Sequence, residues 1–323
     1  MSSRSSQSAL CGCSKTARAA ATTVLVSLTL ASATVAIAQE RFKSPEDAVA
    51  ALVSAVRAGK ARDIAQVLGP SGREITLSGD KVAGRKARAA FLLAFGVRHQ
   101  IVKAGNMAEL QVGLQDWTLP IPIVASDGTW RFDADRGREE ILHRRIGRNE
   151  SNAVQVILAY VDAQNDYAEA NPQRSRVPGY AQRVASSPNK KDGLYWPAVA
   201  NEPRSPLGEA MAIATLEREG SGREPRPYHG YYYKILTRQG PSAPGGAADY
   251  IVDGNMIGGF ALLAHPAEYG ISGIKTFLVN HEGTVFQKDL GAETMSLASR
   301  MTLFDPDHTW TNVGPRDLAH SQR

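Results

Sequence analysis

Apolar positions define the first element. Ala48, Leu52, Val53 and Val56 recur every three or four residues, the spacing of one helix face. Ser44-Pro45-Glu46-Asp47 precedes them with a capping hydroxyl, a proline suited to the first turn and two acids at the positive end of the helix dipole. Gly59 ends that helix. Ile64, Val67 and Leu68 form a second stripe, stopped by Gly69-Pro70. Residues 85–102 read as a shorter helix or a helix–strand mixture, with Phe91, Leu92 and Phe95 on its apolar side. The period then changes to two. Leu110, Val112 and Leu114 alternate with polar or small neighbours, as on a half-buried strand. Residues 119–124 alternate too, but Pro120 and Pro122 remove ladder donors, which predicts an edge strand at most. Asp127-Gly128 is a hairpin signal, and Thr129-Trp130-Arg131-Phe132 is the return strand.

The longest helical pattern runs from Arg138 to about Ala168. Ala153, Val156, Ile157, Tyr160, Val161, Gln164, Tyr167 and Ala168 keep the helical spacing closely. Gly147 and Asn149 weaken its middle, so it reads as two helices or as one with a joint. Residues 171–227 are rich in Pro, Gly, Ser, Asn and Arg and form a long irregular excursion, with a short helix expected at 207–219. The last quarter is strand-rich, at 228–237, 260–264, 274–279 and 284–286. A final amphipathic helix carries Met295, Leu297 or Ala298, Met301 and Phe304 before Pro306 stops it. The expected fold class is α+β: N-terminal helices packed on a small antiparallel sheet, then a long helix and a C-terminal antiparallel sheet.

Composition adds an address. Arg4, Lys15 and Arg18 form a basic leader without acids. An apolar run follows from Ala21 to Ile37, closing on Ala36-Ile37-Ala38. That is the layout of a secretory signal peptide cut after Ala38, and it predicts a periplasmic or secreted protein. An uncleaved anchor is the competing reading; the run is diluted by Thr, Ser and Ala, and a span needs about 20 strongly apolar residues. No second long apolar stretch exists, so no transmembrane span is expected in the mature chain. The chain divides on this reading into a signal peptide at 1–38, an N-terminal domain at 39–148 and a C-terminal domain at 149–323. Cys11 and Cys13 both fall in the leader, which leaves the mature chain without thiol chemistry. Of the formal +5 charge, three units belong to the leader, so the remainder is too weakly basic to suggest nucleic acid.

Three stretches carry a resemblance. They are Tyr228-His229-Gly230-Tyr231-Tyr232-Tyr233-Lys234-Ile235-Leu236, then Gly259-Phe260-Ala261-Leu262-Leu263-Ala264-His265-Pro266-Ala267-Glu268-Tyr269-Gly270, then the segment from Gly273-Ile274-Lys275-Thr276-Phe277 to Gly291. Together with Ser44-Pro45-Glu46-Asp47-Ala48 they resemble the DUF2950 family of exported bacterial proteins. That family is of unknown function, so the resemblance implies neither a reaction nor catalytic residues. The pattern Gly-Tyr-x-Tyr, Gly-Phe-x-Leu-x-Ala-x-Pro and Gly-x-x-Thr-Phe-x-Val-x-x-x-Gly-x-Val is also similar to pilin and pseudopilin globular heads. The signal here is cut after the apolar run, unlike a prepilin, so pilus-type polymerisation is not implied. Residues 44–136 are similar to the helix-then-curved-sheet NTF2-like scaffold, a cone in which a small apolar ligand would fit.

No nucleophile elbow, phosphate loop, dinucleotide fingerprint or zinc-protease motif is present, and no catalytic residue, metal or cofactor is assigned. The serines flanked by glycine at Gly69-Pro70-Ser71-Gly72 and Gly270-Ile271-Ser272-Gly273 read as turns. His229, His265, His281 and His308 share no helix-face or strand-face spacing. His265 is expected in a turn before Pro266, His281 in a hairpin turn, and residues 305–308 at a helix end. The densest chemistry is aromatic. Tyr195, Trp196, Tyr228, His229, Tyr231, Tyr233, His265 and Tyr269 form the candidate binding set, since tyrosine couples apolar area to a hydroxyl. Filling a core is the bland alternative for the same rings. Arg136, Arg138, Arg144, Arg145 and Arg148 share a segment with Glu139 and Glu140 and read as a solvated helix face. The expected function is an envelope binding or assembly module without catalysis, with an envelope protein or glycan as partner. The alternative is an envelope hydrolase or metal-dependent enzyme built from the 171–227 loop with His229, His265 and Asp289.

Overall fold

The computed structural model describes residues 39–76, 81–209 and 226–314. The expected leader and its expected cleavage site, both cysteines and most of the helix expected at 207–219 lie outside them. Ala38–Arg323 makes one compact unit.

Helix α1 (Pro45–Ala58) starts as its sequence dictates. The Ser44 side chain accepts from the Asp47 amide at 3.1 Å, and Gly59 closes the helix in the left-handed region at φ 70°. Helix α2 (Ala61–Leu68) follows. Pro70 then opens a short α3 (Pro70–Thr76), where turn chemistry was expected. Seven residues are too few for a periodicity to show, and proline suits a helix's first turn as well as a loop. Helix α4 (Lys81–Val97) leads into β1 (His99–Ala104), so the helix–strand mixture is resolved in sequence order.

The first sheet is antiparallel. β1 pairs β2 (Met107–Val112), which pairs β3 (Trp117–Thr118) and β4 (Ile123–Ser126), and β4 pairs β5 (Thr129–Phe132). Two expectations shift here. Leu114 sits in a turn at 78% exposure, because the strand stops at Val112. The prolines precede β4 rather than interrupt it, so Ile123–Ser126 pairs on both sides. Asp127 (φ 53°) and Gly128 (φ 71°) make the expected two-residue turn. The register puts Ala108, Ile123 and Phe132 side by side on one face, and they are buried in one cluster with α1 and α2 residues such as Leu52 and Ile64.

Helix α5 (Ala134–Ala170) is a single element of 37 residues, roughly 55 Å long. The joint expected near Gly147 is absent. A helical glycine costs about 1 kcal/mol, but both flanks of this one are tied down. Upstream, Arg144 donates to the Thr118 carbonyl at 2.8 Å. Downstream, the apolar stripe from Ala153 to Tyr167 enters a second buried cluster.

That cluster surrounds a second antiparallel sheet of β6 (Tyr231–Leu236), β7 (Ala261–Pro266), β8 (Lys275–Asn280), β9 (Phe286–Asp289) and β10 (Thr311–Asn312), paired in spatial order β10-β9-β8-β7-β6. Tyr231, Tyr233, Ala264 and Phe277 share one face by register. The start of β8 is tethered to α5, where Glu150 accepts from Ile274 N at 2.9 Å and Lys275 N at 3.0 Å. Tyr232, Lys234, Leu263 and His265 share the other face. Helix α6 (Thr294–Arg300) packs there, and Lys234 Nζ donates to the carbonyls of Ser299 in its last turn and Met301 just after it. The fold is α+β.

Candidate functional site

The irregular excursion is pinned to α5. Gln164, fully buried, donates to Tyr160 Oη at 2.9 Å and to the Ala181 carbonyl at 2.8 Å, and accepts from Ala181 N at 2.8 Å. One turn on, Tyr167 Oη donates to the Lys191 carbonyl at 2.7 Å. Asn171 ends the helix in the left-handed region and closes a small ring with Ser175 through both its side-chain oxygen and its amide. These ties hold the excursion away from the end of α5 and leave a cavity of about 410 Å³.

Its lining is polar and aromatic: Tyr167, Gln173, Tyr180, Gln182, Arg183, Asp192 and Asn255. The amides are anchored. Gln173 Nε2 donates to Tyr167 Oη at 2.6 Å, Gln182 Nε2 to the Gly254 carbonyl at 2.7 Å, and Asn255 Nδ2 to the Asp253 carbonyl at 3.1 Å. The side-chain oxygens of Gln173 and Gln182 have no partner among the described residues and remain acceptors. The charges neutralise each other. Asp192 accepts from Ser187 N at 2.7 Å and Ser187 Oγ at 2.8 Å, and Arg183 lies 4.0 Å away. Burial acts to raise the Asp192 carboxyl, but the Ser187 bonds and the Arg183 charge outweigh it and hold it below the usual carboxylate value. Burial raises the Tyr167 phenol, against the Gln173 bond, so it stays a neutral hydroxyl. A second cavity of about 360 Å³ adjoins the first, sharing Tyr167 and Asn171 and adding Lys191, Trp196 and Arg204.

The aromatic set expected from the sequence is dispersed. Trp196 lines the second cavity, with its Nε1 donating to the Pro203 carbonyl at 3.1 Å and Lys191 Nζ 5.5 Å from its ring centroid. Half-buried Tyr195 is its chain neighbour, and its phenol is raised by burial and by Glu209. Tyr231 and Tyr233 lie inside the core, and burial pushes both phenols far up. A ligand reaches neither without opening the sheet. Tyr228 and exposed His229 lie with ring centroids 4.3 Å apart and planes tilted by 53° in the turn before β6. Tyr269 donates to Asp289 at 3.4 Å on the β7–β8 hairpin.

The histidines stay apart as well. His265 is not in a turn. It lies within β7, 2% exposed and 5.6 Å from the Tyr232 ring, because Pro266 closes the strand rather than preceding a loop. It projects from the α6 face. Asp289 is paired with Lys275 and projects from the opposite face, so the two cannot share a reacting atom. Among the described residues no group of three or more His, Cys, Asp or Glu side chains is placed to hold a metal ion.

A family model described as "Protein of unknown function (DUF2950)" matches residues 39–313. The chain belongs to this family. Neither the comparison with curated proteins nor that with solved structures gives a match. The DUF2950 match spans both sheets, α5 and the cavity beside its end. The residues of that cavity lay outside the expected set, although the excursion that supplies most of them stood out by composition. Asn, Gln and Ser are ordinary loop residues, so only their convergence sets them apart.

Proposed function

We propose that this DUF2950 protein is an exported envelope binding module that holds a neutral, hydroxyl-rich glycan in the cavity at the end of α5, without catalysing a reaction on it. One observation carries this reading. The cavity's cation and carboxylate pair with each other, while its amides are fixed by their N–H groups and keep oxygen acceptors for hydroxyl donors. Tyr167 and Tyr180 add ring surface of the kind that sugar faces cover. A charged ligand would meet no unpaired counter-charge there, and an apolar one would strand the amides. The basic leader, apolar run and Ala36-Ile37-Ala38 supply the address.

Titration calorimetry with chitotetraose, a soluble stand-in for N-acetylated envelope glycan, tests the site. Saturable binding is expected. Gln182→Ala and Asn255→Ala should each weaken it roughly tenfold through loss of a fixed polar contact, with melting temperatures little changed at these exposed positions. Absence of binding, binding indifferent to both substitutions, or recovery of a protein instead of a glycan from envelope extract rejects the reading. The natural protein should begin at Gln39; a product starting at Met1 in the cytoplasmic fraction removes the export half.

A further inference from the structure

The N-terminal half holds a cavity of opposite character. It encloses about 260 Å³ between α1, α2, α4 and the segment leading to β4. Leu52, Val56, Ile64, Leu68, Phe91 and Ile121 form its walls. Helix α4 turns one stripe into it, since Gly84, Ala87, Arg88 and Phe91 follow at three- and four-residue steps. Besides Arg88, the described walls offer one hydrogen-bonding group, the indole N–H of half-exposed Trp117, so a sugar or peptide would lose most of its hydration without replacement.

Among the described residues, Arg88 is the one charged residue in this lining. It is half-buried, and no carboxylate among the described residues pairs with it. Its side chain reaches back along the helix: a Cβ added at Gly84 would lie 3.4 Å from the guanidinium Nη1. The cation therefore stands over the Gly84 end of an apolar hollow, partly stripped of water. An unpaired charge in that position is costly, and an anion at the mouth offsets the cost. Planar guanidinium matches a carboxylate through two parallel bonds.

We infer that this cavity is a binding site for a single-chain carboxylate of the fatty-acid class, its hydrocarbon among Leu52, Ile64 and Phe91 and its head on Arg88. The site goes beyond the glycan reading and shares no residue with it. Native mass spectrometry and calorimetry with decanoate and decanol on the purified protein test it. One decanoate per chain is expected, bound about tenfold more tightly than decanol. Arg88→Gln should erase that advantage while leaving decanol binding unchanged. Ala87→Phe, placed on an exposed helical position at the mouth, should abolish uptake of both. Chitotetraose binding should survive both substitutions, which also reports that the variants are folded. Failure to take up decanoate, uptake insensitive to Ala87→Phe, or equal weakening of both ligands by Arg88→Gln overturns the inference.

Discussion

Gln164→Leu is expected to cost about 4 kcal/mol. The substitution roughly keeps side-chain volume and replaces the amide by hydrocarbon, so it leaves no large void. It removes three hydrogen bonds at once, to Tyr160 Oη, Ala181 O and Ala181 N, all at 2.8–2.9 Å in a fully buried position. Each group left unpaired in the interior carries a penalty of about 1–3 kcal/mol. Burial raises the Tyr160 phenol, so that hydroxyl cannot escape by ionising. Urea unfolding gives the measurement. Tyr160→Phe in the Gln164→Leu background should recover about 1 kcal/mol, because one orphan then disappears. The same lesion should abolish chitotetraose binding, since Ala181 sits between Tyr180 and Gln182 of the cavity. A Gln164→Leu protein within 1 kcal/mol of the parent would show that the clamp carries no stability.

Gly273→Ala is expected to cost about 3 kcal/mol, the upper range for steric overpacking, and to lower the melting temperature by about 10 °C. A Cβ at this position would lie 2.7 Å from ring atoms Cε2 and Cζ of Tyr231 and collide with its hydroxyl. The ring cannot yield. It is fully buried, packs at 5.8 Å on Phe277, and donates to the Lys275 carbonyl at 2.8 Å. Retreat would break the contact that joins β6 to the start of β8, beside the Glu150 tether from α5. Tyr231→Phe removes the hydroxyl and leaves the two ring carbons, so the double variant should regain less than half of the loss. Calorimetric melting of the four proteins of this cycle decides it. A Gly273→Ala protein melting within 2 °C of the parent would show that the hairpin relaxes freely.

Much of the architecture was written locally. The α1 caps and the Asp127-Gly128 turn depend on residues within one turn of one another, and both appear where the chain placed them; the period-two segments also form strands, with their ends shifted by a few residues. The failures are instructive because they are also local. Pro122 made β4 look like an edge, yet the strand starts one residue later. Gly147 weakened α5 in isolation, and contacts from Thr118 on one side and the second core on the other overrode it. His265 before Pro266 looked like a turn, but the strand simply ended at the proline.

The candidate site was less legible. Strand alternation alone puts Tyr231 and Tyr233 on one face, but their sequence could not say whether that face met water or α5. Gln164 was visible as one member of a helical stripe, indistinguishable from its apolar neighbours until Ala181 arrived opposite it.

From the linear order of residues alone follow the α+β class, the long helix, the family and the expectation of export. Those properties depend on backbone propensity, side-chain period and composition, which neighbouring residues determine. Which tyrosines are core, where the excursion docks, and the opposite characters of the two cavities were decided only by folding. Each depends on groups far apart in the chain, such as Gln164 with Ala181, Gln182 with Gly254, and Leu52 with Arg88, and no short-range pattern encodes such a meeting.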